Sequence, residues 1–87
     1  MIKFIKSPIE YFEVEGVTYR NPLINIDAVG VIEKSKGFSD RGLKAKMWEI
    51  PTIDFHMKGY YGMFVWYFEN VAQRDEEFNS LLKQFSL

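Results

Sequence analysis

Apolar and polar positions alternate along most of the chain, and the period of that alternation predicts its elements. Over residues 9–20, Phe12, Val14, Val17 and Tyr19 fall in one phase, and Tyr11, Glu13, Thr18 and Arg20 in the other. A period of two with a polar break at Glu15-Gly16 predicts a hairpin with one wet face. A two-residue turn there pairs Val14 with Val17 and Phe12 with Tyr19. In residues 23–34, Ile24 and Ile26 keep one step, and Val29 and Val31 keep the opposite one. A bulge or tight turn near residues 25–28 accounts for the change of phase, with a strand following over 28–34. Ile2, Phe4 and Ile5 add a short edge strand.

The segment from Ile50 to Glu69 is the most aromatic. A loop through Gly59 to Gly62 brings Met57 against Phe64, Phe55 against Trp66 and Ile53 against Phe68 on one face. The other face pairs Lys58 with Met63, His56 with Val65, Asp54 with Tyr67 and Thr52 with Glu69. Beyond it, Asn70 has the character of a helix N-cap, and Gln73 follows at capping-box spacing. Asp75, Glu76 and Glu77 suit the positive end of a helix, and Val71, Phe78, Leu81, Leu82 and Phe85 recur at helical spacing. One helix covers one sheet face, and the Phe55, Trp66 and Phe68 side is the apolar one.

These elements predict an α+β domain spanning residues 1–87: an antiparallel meander of five or six strands against one C-terminal amphipathic helix. The order of elements resembles a reduced pleckstrin-homology-like arrangement, although no residue motif carries the likeness. That resemblance implies a partly closed barrel and a binding function rather than catalysis.

Composition narrows the function. At 87 residues, a second core would leave each half too small to bury enough surface. Apolar residues make up 47% and aromatic ones 17%, enough for a real core. Eleven basic and twelve acidic residues leave a net charge of -1, so no general attraction to nucleic acid or to an anionic membrane is expected. Without cysteine there is no disulfide, thiolate zinc site or cysteine nucleophile. The N-terminus has no signal-peptide core and no stretch is long enough for a membrane helix, so the expected location is the cytoplasm.

Candidate chemistry is sparse. His56, Asp54 and Tyr67 share a face and could be drawn as a general-base arrangement, but no nucleophile lies at a diagnostic spacing. One histidine with scattered carboxylates falls short of the convergent ligands a metal needs, and no phosphate-cradling glycine pattern occurs, so neither metal nor cofactor is expected. Residues 34–48 hold Lys34, Lys36, Arg41, Lys44 and Lys46 with Phe38 and Trp48 interleaved, and read as a basic-aromatic loop.

The expected function is therefore a small non-enzymatic protein-interaction module that self-associates or serves as a subunit or inhibitor of a larger complex. Its contact residues are Tyr11, Tyr60, Tyr61, Met63, Val65 and Tyr67, because the second sheet face is mixed and one helix cannot cover both faces. The alternative is binding of single-stranded nucleic acid or another polyanion through the loop 34–48, with Lys34, Lys36, Arg41, Lys44 and Lys46 as the anion contacts. The expected partner is a second copy or another protein, with nucleic acid as the alternative and no membrane.

Overall fold

The alternation of residues 11–20 forms the predicted hairpin in the computed structural model, which describes residues 3–14, 16–39, 48–59 and 62–85. Strands β2 (Tyr11–Val14) and β3 (Val17–Arg20) pair antiparallel with Phe12 opposite Tyr19 and Val14 opposite Val17. Gly16 takes φ 81° in the turn, a left-handed conformation that favours glycine. Strand β1 (Phe4–Ile5) pairs with β4 (Ile24–Asn25) in a second two-stranded ladder. A 3-10 turn over Ile26–Ala28 ends β4 where a change of direction is expected, and the Asn25 side chain accepts a hydrogen bond from the Asp27 amide.

The main sheet has the order β5-β6-β7, built from Val29–Ser39, Trp48–Met57 and Met63–Tyr67. Helix α1 (Val71–Phe85) follows, and the Asn70 side chain caps it by accepting from the Gln73 amide at 2.8 Å. Its Leu81, with Phe78, Leu82 and Phe85, packs on the cluster of Ile32, Ile53, Phe55, Trp66 and Phe68. The helix thus covers the expected face. Val71 departs from the expected stripe and is exposed, while Arg74 is buried and donates to the Ser35 carbonyl at 2.9 Å.

Four expectations about the strands are corrected as well. The strands form sheets of two, two and three rather than one sheet of five or six, and no closed barrel of the pleckstrin-homology type results among the described residues. The reason lies in the joints. The 3-10 turn cuts β4 to two residues, and the β2–β3 hairpin meets β7 through a side chain instead of a backbone ladder. Buried Asn21 accepts from the Tyr67 amide at 2.7 Å and donates to the Tyr67 carbonyl at 3.0 Å, imitating one rung of a sheet.

Strand β5 runs on to Ser39 and β6 begins at Trp48, so residues 34–39 are strand rather than loop. The β6–β7 register differs by two residues from the expected one, with Phe55 opposite Phe64 and Ile53 opposite Trp66. Gly59, at φ 65°, turns the chain early, and a shift of two preserves every side chain's face. Finally, β5 carries a register shift between Val29 and Val31, so these valines do not share a face as their spacing suggested.

Candidate functional site

On the face of the main sheet opposite α1, three cross-strand rows form a grid of nine side chains. Cross-strand pairing lines up Ser35, Thr52 and Tyr67 in one row, Glu33, Asp54 and Val65 in the next, and Val31, His56 and Met63 in the last. Directly opposed residues of antiparallel strands point to the same side, so the ladder alone sets this arrangement.

Gly30 brings Val31 into the grid. It is the extra residue between the Val29–Met57 and Val31–His56 pairs, and a Cβ there would sit 3.4 Å from the His56 carbonyl oxygen. The bulge leaves Val29 in the core and turns Val31 to the open face, where it is 59% exposed.

The grid changes character from one end to the other. At the Tyr67 end, the Tyr19 ring of the hairpin lies 4.6 Å from the Tyr67 ring. Burial, and then the neighbouring Tyr19 and Asp54, push the Tyr67 hydroxyl above its ordinary pKa. Thr52 is fully buried and donates to Asp54 Oδ1 at 3.0 Å. At the other end, Val31 and Met63 stand exposed on either side of His56. Between the ends, His56 Nε2 lies 2.7 Å from Glu33 Oε1, and Asp54 sits beside them with 7% of its surface exposed.

The structure brings together Met63, Val65 and Tyr67 from the expected interaction set. Tyr11 is exposed but lies on the side of the hairpin opposite Tyr19, where its hydroxyl accepts from Arg20 and its ring stacks under the guanidinium. It does not join the grid. Tyr60 and Tyr61 lie outside the described residues.

Of the expected anion contacts, Lys34 and Lys36 belong to β5 and face the helix side of the sheet, as pairing with Ile53 and Pro51 requires. The Lys34 ammonium is 3.7 Å from Asp75 and stands over the Phe78 ring, and Lys36 lines a shallow cleft with Pro51, Val71 and Arg74. Arg41, Lys44 and Lys46 lie outside the described residues.

Two residues of this face escaped the sequence reading. Val31 was hidden by the Gly30 bulge, and Glu33 by its distance along the chain from His56. A glycine between two β-branched residues was the available signal for the first. The second had none, because strand pairing is not written in local spacing.

No family model, curated protein or solved structure matches the chain. Among the described residues, no helix is long and apolar enough to cross a membrane.

Proposed function

We propose that the chain is a non-enzymatic protein-interaction module that binds a second copy of itself through the open face of the main sheet. The observation that supports this reading is the pair Val31 and Met63, 59% and 47% exposed, flanking His56 on a face that α1 leaves uncovered. These two side chains stand on the outer strands β5 and β7 and give the face two apolar flanks, with the paired Glu33 and His56 supplying polar contacts beside them.

A second copy is the occupant for two reasons. A net charge of -1 gives two copies little repulsion to overcome. A two-fold contact also lays this patch on itself, apolar flank to apolar flank. Pairing through the β5 edge is the less suitable route, because charged Glu33, Lys34 and Lys36 line that strand and discourage edge-to-edge addition.

Light scattering coupled to size-exclusion chromatography, over a wide concentration range at low and high salt, tests the reading. The expected species is a dimer that persists at high salt, and Met63→Lys is expected to be monomeric, with an unchanged circular-dichroism spectrum and a thermal melt that no longer depends on concentration. A wild-type monomer at every concentration would overturn self-association and leave the face to a different protein. A dimer unaffected by Met63→Lys would place the contact elsewhere.

A further inference from the structure

Self-association gives no role to the buried Asp54 carboxylate in the middle row of the grid. We propose that Glu33, Asp54 and His56 form a binding site for a divalent transition-metal ion of the zinc class, a reading that goes beyond self-association and does not depend on it. The ligand atoms of these residues already lie within 4.8 Å of one another.

The backbone organises the cluster. Glu33 on β5 sits directly opposite Asp54 on β6, and His56 follows Asp54 by two residues and so emerges on the same face. All three Cα atoms belong to paired strands, so only side-chain rotation is needed to close on an ion. A tetrahedral ion with bonds of about 2.0–2.1 Å sets its ligand atoms roughly 3.3 Å apart. The observed separations, from 2.7 Å between His56 Nε2 and Glu33 Oε1 up to the 4.8 Å limit of the cluster, bracket that spacing. Glu33 and His56 are both about half exposed and free to rotate by that amount.

Donor chemistry selects the ion. One imidazole nitrogen with two carboxylate oxygens suits zinc, cobalt, manganese or iron in the divalent state. All-oxygen sites favour calcium and magnesium, and thiolate or thioether sites favour cuprous copper. Three protein ligands on an open face leave the remaining position to water.

Asp54 supplies the independent observation. Its carboxylate is more than nine-tenths buried, Oδ1 accepts from Thr52 Oγ1, and among the described residues Oδ2 accepts from no one. A buried carboxylate with a single neutral donor is costly, and that cost falls when a cation approaches. Thr52 stands where an outer-shell partner of a metal ligand belongs, fixing one oxygen and leaving the other for the ion.

The test is titration of the full, metal-stripped chain with Co²⁺, followed by its visible absorption, and with Zn²⁺ by calorimetry. One saturable equivalent is expected, with a raised melting temperature in Zn²⁺. His56→Gln and Glu33→Gln, both at exposed positions that leave the core intact, should each weaken binding by more than about tenfold, and Thr52→Val by about tenfold. Circular dichroism confirms that each variant is folded. Absence of saturable binding at about 100 μM Zn²⁺, or binding undiminished in His56→Gln, would overturn the site.

Discussion

The two faces of the main sheet are made from alternate residues of the same three strands, yet they do different work. On the helix side, Ile53, Phe55 and Trp66 have no exposed surface, and the Phe55 and Trp66 rings meet edge-on at 4.7 Å. On the open side, adjacent positions carry Glu33, Asp54, His56, Val31 and Met63. The covered face contributes stability through burial, at roughly 25 cal/mol per Å² of apolar surface removed from water. The open face keeps groups with unused hydrogen-bonding or apolar capacity. Such a division lets one strand hold the fold together with every second residue and present chemistry with the rest.

The sharpest way to break this comparison is to truncate the covered face. Trp66→Ala removes the largest fully buried side chain and the hydrogen bond from its indole nitrogen to the Pro22 carbonyl. A loss of about 3–5 kcal/mol in urea denaturation is expected, a large share of a small domain's stability. Val31→Thr on the open face should change stability by less than about 0.5 kcal/mol. Equal losses at both positions would mean that the two faces are not distinct.

A smaller effect is expected where the hairpin joins the sheet. Asn21→Ala deletes the rung to Tyr67 together with donations to the Ile9 carbonyl at 2.7 Å and to Ser7 Oγ. Buried backbone groups left unpaired cost about 1–3 kcal/mol. Amide exchange at Tyr67 should accelerate more than exchange in the β5–β6 ladder. Uniform acceleration would show that the hairpin and the sheet open as one unit.

The smallest effect belongs to the rim of the covered face. Glu77 lines a cleft between Pro8, Ile9 and the helix, where burial, and then the neighbouring charge of Glu76, raise its carboxyl above the usual value. A folded-state pKa above the unfolded one means that the ionised form opposes folding. The stabilising contribution is present below the unfolded-state pKa and is lost as pH rises through the folded-state value. Glu77→Gln should therefore stabilise the protein at neutral pH, by less than about 0.5 kcal/mol because the group keeps much of its water. It should also flatten the rise in stability seen on acidification. A destabilised variant at neutral pH would reverse the assigned sign.

Particular elements show how much of this was legible in the sequence. The β2–β3 hairpin and the Asn70 cap were, because each depends on residues within a few positions of one another. The faces of β6 and β7 were legible as well, even though their register was displaced by two, since parity survives such a shift. Lys34, Ser35 and Lys36 read as loop because their composition is polar. In the fold, pairing with Ile53, Thr52 and Pro51 makes them strand. Tyr11 matched Tyr67 in chemistry, but the hairpin turns it the other way.

Sequence alone determined the β2–β3 hairpin, the Asn70 cap, most of the apolar stripe of the helix and the apolar side of β6 and β7. Tertiary structure decided that the strands divide into three sheets, that Gly30 turns Val31 outward and that Glu33 arrives beside Asp54 and His56. The physical reason is the range of the forces involved. Alternation and capping follow from covalent geometry and near neighbours, whereas strand pairing is settled by competition for burial and hydrogen bonds across the whole chain.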